Sequence, residues 1–374
     1  MSLLRRTYRG VRAVAQDPVG RRAYIARLKW LMNGSETLQA HSLEYRAGLT
    51  GRFAVPAERM SPDTELVMHC PEGCGARAPL SHLYERRFVY RLRQTVASTA
   101  SGATLMCGSA EDPFFVRESI TWPFESILSH GLEVPEVKQV AERISGTSVV
   151  FPTTPNYYHW LIEDLPLALR AAEVAPEATY VAFNEGITNR HRLIAKHLGV
   201  RLMPTSLVVA MDEQVLPGRS SDSWFVHPAD ARRLHDLGAA ITSGETGDAD
   251  RIYVSRRNAA RALPGEAQLE ALLAERGFTI LHLEDMDWAD QMRAFRGARI
   301  VVGPHGAGLA NLVFTPAGAR LVELTNANQY NRCFEWICHV AGHDYRAVDS
   351  DAFADSGDPQ RLVKGIENSI LDTL

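Results

Sequence analysis

Residues 298–325, ARIVVGPHGAGLANLVFTPAGARLVELT, constrain the fold more than any other part of the chain. Residues 298–302 are apolar apart from Arg299, the pattern of a strand covered on both faces. Gly303-Pro304-His305-Gly306-Ala307-Gly308 then interrupts regular structure and lets the backbone turn tightly. Residues 307–314 read as a short helix leaving that turn, with its first N–H groups open to an anion. Pro316 and Gly318 end it, and residues 320–324 return as a second buried strand. Glu323 falls near the carboxyl end of that strand, the edge where α/β sheets bind ligands. An imidazole between Pro304 and Gly306 has no evident packing role and is suited to donate to a ligand oxyanion.

The rest of the chain extends this strand-helix alternation. Residues 148–151, 179–183, 200–203 and 207–209 read as strands, with helices over 159–172 and 189–198. After a Gly- and polar-rich stretch at 238–249, taken as a linker, strands over 251–255 and 278–283 alternate with helices over 266–276 and 286–295. A helix over 331–341, a strand at 345–348 and an amphipathic helix at 359–371 complete the pattern. The class is therefore α/β with parallel sheets, and a length of 374 residues suits two such units facing across a cleft. The division is a basic helical arm over 1–50, an N-terminal α/β domain over 51–240 and a C-terminal domain over 241–374. The last helix is free to pack back on either domain, the N-terminal one included. Residues 50–125 are Pro- and Gly-rich, with β-like runs at 65–69, 88–94 and 104–107 that periodicity alone does not order.

Charge and cysteine usage narrow the function. The net charge of −4 argues against a nucleic-acid partner. Eight Arg and Lys residues face the single acid Asp17 within the first 30 positions, so this amphipathic stretch is either a solvated arm or a contact for an anionic membrane surface or assembly partner. Five cysteines form no disulfide framework, Cys70 and Cys74 have no second ligand pair beside them, and no run is long enough to span a membrane. A reducing, cytoplasmic setting is expected, with at most peripheral contact at the inner membrane surface. No metal site is expected. The triplets Asp248–Asp250, Asp285–Asp287 and Asp349–Asp351 are of a kind common in acidic loops.

Three constellations carry chemistry. His159 and Glu163 are four apart, so on a helix they share a face, and Asn156 is placed to cap that helix. A carboxylate beside a histidine suits general-base work, with Asp164 as the neighbouring alternative. Asn156, Tyr158 and Trp160 are candidate acceptor contacts beside the pair. Arg256 and Arg257 end a strand at the ligand edge, where a guanidinium can grip a diphosphate with two bonds. Glu284, like Glu323, lies at that same edge.

The segments NYYHWLIEDLPLALR, RIYVSRRNAAR, GFTILHLE and QMRAFRGARIVVGPHGAGLANLVFTPAGARLVEL resemble, in order and spacing, glycosyltransferase family 61. The resemblance covers about residues 148–345 and is strongest at PHGAGL-N. It implies a GT-B fold of two Rossmann-like domains, inversion at the anomeric carbon and, as a rule, no metal or other cofactor. By motif position it implies that Arg256 holds the donor diphosphate and that His305, Gly306, Ala307 and Gly308, with Asn311, form the donor loop. Glu284 and Glu323 would contact uridine or ribose, and Glu163 would be the base with His159 close by. The expectation is an inverting transferase moving a sugar from a nucleotide donor, UDP-linked, to a glycan acceptor in cell-surface or capsular polysaccharide synthesis. A non-catalytic glycan- or nucleotide-binding scaffold and a GT-B-like nucleotide-sugar epimerase are the alternatives.

Overall fold

The computed structural model describes strand segments within residues 40–119, residue 140, and residues 142–370 other than 220–224, 260–261, 327–330 and 351–357. Apart from residues 40–41, the basic arm over 1–50 lies outside the described residues, as do Cys74 and Asp351.

Among the described residues, the N-terminal half builds a mixed nine-stranded sheet. Its early strands are β1 (Ala40–His41), β2 (Ala57–Pro62), and, past a separate hairpin of β3 (Leu66–Cys70) and β4 (Leu80–Tyr84), β5 (Phe88–Ser98), β6 (Thr104–Cys107) and β7 (Pro113–Val116). Then follow β8 (Arg143–Val150), β9 (Thr179–Phe183), β10 (Leu202–Thr205) and β11 (Val208–Pro217). The order is β1-β7-β6-β5-β11-β8-β9-β10, with β2 also on β5. Strands β11, β8, β9 and β10 are mutually parallel, and β5 joins them antiparallel along the length of β11.

Helix α1 connects β8 to β9 and changes character along its length. It is α-helical over Tyr157–His159, π-helical over Trp160–Asp164 and α-helical again over Leu165–Val174. Asn156 caps it, its Oδ1 accepting from Tyr158 N at 3.0 Å. The wide turn lets Pro166 open the second α-helical segment, where its missing N–H and fixed φ cost little. The helix thus restarts at this proline, and the junction carries a π-bulge, a feature that recurs at functional sites. Helices α2 (Asn189–Leu198) and α3 (Pro228–Ile241) follow. The stretch taken as a linker from 238 begins inside α3, which buries Leu234 and Leu237 and ends where Thr242 Oγ1 donates to Gly238 O at 2.9 Å. Glycine content marked a break there, but tertiary packing of the apolar face overrides that local preference.

The C-terminal half is a five-stranded, all-parallel sheet. It runs β12 (Arg251–Val254), α4 (Glu266–Ala274), β13 (Thr279–Leu281), α5 (Trp288–Gly297) and β14 (Ile300–Pro304). After a 3-10 helix over Ala307–Phe314 come β15 (Arg320–Thr325), α6 (Cys333–Ala341), β16 (Asp344–Asp349) and α7 (Pro359–Ile370). The order β13-β12-β14-β15-β16 reverses direction between β12 and β14. Doubly wound sheets bind ligands at such a switch point, beyond the carboxyl ends of the strands.

One continuous core joins the two halves: Phe151, Trp160, Tyr180, Trp288, Phe314 and Trp336 all belong to it. Trp160 meets Trp288 edge-on at 5.3 Å between ring centroids, and Trp288 meets Phe314 at 6.1 Å. Each such ring contributes about 1.5–3 kcal/mol through burial. Helix α7 packs its Leu362, Val363, Ile366 and Ile370 against Tyr253, Leu269 and Leu273 on the opposite face of the C-terminal sheet. Of the two domains on which it was free to pack it takes the C-terminal one: its apolar stripe matches the strand face left open beside α4.

Candidate functional site

The switch point places Arg256, just past β12, beside His305, just past β14. Arg256 donates from Nη1 to the His305 carbonyl. It reaches there across Gly306, where an added Cβ would lie 2.8 Å from three atoms of the Arg256 side chain. At Gly308 a Cβ would lie 2.7 Å from Leu283 Cδ1. Neither glycine has a positive φ; Gly306 is extended, at −178°. The chain does bend at residues 305–306, but left-handed backbone is not what calls for these glycines: they make room for neighbouring side chains. The N–H groups of Gly306, Ala307 and Gly308 donate no hydrogen bond among the described residues. They open the 3-10 helix as expected, with the positive end of its dipole toward the turn.

The structure separates the two arginines that the sequence left together. Arg257 turns back, donating from Nη1 to Glu270 Oε2 at 2.8 Å. Glu266 is buried and structural: Oε1 accepts from Tyr253 OH at 2.9 Å and from Arg256 N at 2.7 Å, and Oε2 accepts from Leu263 N at 3.1 Å. Glu284 is exposed on a 3-10 turn over Leu283–Asp285, where it accepts from Asn258 Nδ2 at 2.9 Å.

Two histidine–carboxylate pairs stand out. His305 Nδ1 lies 2.5 Å from Glu323 Oε1, and the other oxygen of Glu323 accepts from Tyr345 OH at 2.7 Å. Register explains this: Glu323 on β15 is opposite Gly303 on β14, two residues before His305. A fully buried carboxylate with both oxygens occupied can orient the imidazole, as a carboxylate orients a catalytic or metal-bound histidine. The structure gives Glu323 this place behind His305.

The second pair is His159 Nδ1 to Glu163 Oε1, 2.6 Å apart on the bulged part of α1. Burial pushes the Glu163 carboxyl up to about 7, against the opposing pull of its bond to His159 and the charges of His159 and Arg219. A group poised near neutrality can accept and release a proton at working pH. Asp164, next in sequence, points elsewhere, its Oδ1 2.5 Å from Arg219 Nη2 with both side chains buried. Consecutive residues of a helix point to different sides, so the two carboxylates part.

An aromatic row joins the pairs. The His159 ring meets Tyr158 at 5.6 Å, Tyr158 meets Phe334 at 5.7 Å, and Phe334 meets His305 at 4.9 Å. Tyr158 is thereby buried between the pairs, and Trp160 is fully buried with its Nε1 3.1 Å from His191 Nε2. Neither presents a solvent-facing surface for an acceptor in this conformation. Asn156 is exposed and engaged as the helix cap. Asn311 is fully buried, accepting from Tyr157 OH and donating from Nδ2 to Gln291 Oε1 at 3.1 Å. Tyr157 also accepts from Trp288 Nε1 at 2.8 Å, so it pins α1 to both the 3-10 helix and α5. Sequence reasoning passed over Tyr157, Gln291, Tyr345 and Phe334. The first two lie inside or beside singled-out motifs; the last two carry no local signal. Among the described residues no three His, Cys, Asp or Glu side chains cluster as metal ligands would, and no helix is long and apolar enough to cross a membrane.

A doubly wound parallel sheet with an arginine and a histidine at its switch point, faced by a near-neutral carboxylate from a second α/β unit, defines a class of ligand-binding α/β protein. Residues 157–322 match the family model described as Glycosyltransferase 61. The chain is also similar to the EGF domain-specific O-linked N-acetylglucosamine transferase of Drosophila melanogaster, 33% identical over 97 residues. That alignment covers 25% of this chain and 18% of the length of the relative.

Proposed function

We propose that this protein is an inverting glycosyltransferase of GT-B architecture that moves a sugar from a nucleotide donor, UDP-linked, to a hydroxyl of a glycan. The observation that carries the reading is the near-neutral Glu163 on His159, linked by Tyr158 and Phe334 to the His305 turn. Glu163 accepts the acceptor hydroxyl proton while the oxygen attacks the anomeric carbon in line. The bond from that carbon to the diphosphate oxygen breaks, and the nucleoside diphosphate departs. Its charge is met by Arg256, by the amides of Gly306, Ala307 and Gly308, and by a ring N–H of His305, so that no metal is required. The donor occupies the C-terminal half and the acceptor the N-terminal half, across a cleft between them. The acceptor is a cell-surface or capsular polysaccharide. The reaction takes place in the cytoplasm, with the basic N-terminal stretch at the inner membrane surface or on an assembly partner.

Calorimetric titration of UDP, GDP, CDP, TDP and ADP, with and without EDTA, tests the donor site. Selective UDP binding that survives EDTA and weakens in His305→Ala is expected. Turnover of UDP-N-acetylglucosamine and other UDP-sugars, with anomeric configuration read by NMR, tests the chemistry. Loss of selectivity for UDP, or retention of configuration in the product, overturns the corresponding part of the reading.

A further inference from the structure

Arg190 occupies the second position of α2, in a first turn held by Thr188, whose N–H donates to His191 Nδ1 at 3.2 Å. Its guanidinium lies over two rings of α1, 4.9 Å from the centroid of Tyr157 and 4.8 Å from that of Trp160. Rings stabilise the face of a guanidinium but leave its N–H edge without acceptors. Nε of Arg190 is buried and has no hydrogen-bond partner, and the residue forms no ion pair among the described residues. A partly buried cation in that condition is costly in the ligand-free protein, and a buried unsatisfied donor in a folded protein calls for an explanation. The position supplies one. Tyr157, beneath the guanidinium, is bonded to Asn311 and Trp288, on the elements that leave the carboxyl ends of β14 and β13. Arg190 therefore stands one ring away from the ligand edge of the C-terminal sheet, on the opposite half of the molecule from Arg256.

We propose that Arg190 is an anion-binding residue supplied by the N-terminal half, receiving the oxyanion of a bound substrate, a phosphate or a sugar carboxylate. The inference rests in part on the transferase reading, which makes both oxyanions relevant. A guanidinium already ordered by two rings loses little freedom on binding, and its planar edge suits either group.

The test uses the full chain with Arg190→Gln and Arg190→Lys. Calorimetry compares UDP with uridine, and NMR titration compares glucuronate with glucose. Arg190→Gln is expected to weaken UDP or glucuronate about tenfold while sparing the uncharged counterpart, with Arg190→Lys intermediate. Loss confined to UDP assigns the phosphate; loss confined to glucuronate assigns an acidic sugar. Equal affinity of both variants and wild type for both anions, with cooperative melting preserved, overturns the proposal, as does failure of wild type to bind either anion. Arg190-dependent binding of glucuronate without nucleotide binding would sink the transferase reading and leave this one standing. UDP binding indifferent to Arg190, with no glucuronate bound, would do the reverse.

Discussion

His159–Glu163 and His305–Glu323 are the same chemical pair built in two ways. Each joins Nδ1 to a carboxylate oxygen at about hydrogen-bond contact, 2.6 Å and 2.5 Å respectively. The first is made within one helix, across four residues and a π-bulge, and its side chains are 21% and 8% exposed. The second is made between adjacent strands, 15% and 2% exposed, and Tyr345 from a third strand holds the remaining oxygen. The contrast separates two uses of one motif. Glu163, raised by burial to about 7, is suited to move a proton. Glu323 has both oxygens engaged and is suited to hold a ring in place. Pairing alone does not assign a role; what surrounds the carboxylate does.

The largest expected effect follows from that assignment. Glu163→Gln should lower kcat by about 10²–10⁴ with little change in KM, the range for loss of a general base. In wild type kcat/KM should rise through about pH 7, where the ionised form takes over, and the limb should vanish in the variant. Steady-state rates across pH 5–9 measure both. Rates retained in Glu163→Gln and in His159→Ala would remove the distinction between the pairs.

Next in size is a contrast of ion pairs. Arg219→Met strands Asp164 in the interior and should cost about 3–5 kcal/mol by denaturant unfolding. Arg257→Met breaks a pair whose arginine side chain is 46% exposed, and should cost under about 1 kcal/mol. Comparable losses would mean that the Asp164 environment is wetter than its burial indicates.

The raised Glu163 also has a cost in stability. Between the ordinary value of 4.5 and about 7 the native state keeps a proton that the unfolded chain has released. The contribution of this group is therefore best below pH 4.5 and falls as pH rises to 7, by up to about 3 kcal/mol. Glu163→Gln removes the penalty, so its thermal midpoint should gain on wild type between pH 5 and pH 8. A constant difference would contradict the shift. A further effect belongs to the second pair: Tyr345→Phe should cost about 1.5 kcal/mol and weaken UDP binding through His305. No change in either would detach Tyr345 from the site.

The C-terminal half was largely legible in the sequence. Its apolar runs, turn residues and amphipathic spacings reflect local rules, and expected helix and strand positions agree with the structure to within a few residues at most of its elements. The early strands were harder. Runs near 66, 88 and 104 are strands, but the first falls in a separate hairpin, and the place of the other two depends on β5 pairing with β11, more than a hundred residues later. Local periodicity contains nothing about such a partner. Helix α3 was passed over because its glycine suggested a break, while its burial depends on distant neighbours.

By itself the sequence determined the parallel α/β class, the Gly-rich turn with His305 at a strand end, and the contact of His159 with Glu163. Helical geometry brings residues four apart together whatever the rest of the chain does. Tertiary structure alone decided that Arg256 and not Arg257 faces the turn, that Glu323 stands behind His305, and that Asp164 belongs to Arg219. It also decided which carboxylate is raised toward neutrality. These outcomes depend on strand register and on what remote segments exclude or admit around each charge, because the energy of a charge is set by its three-dimensional surroundings.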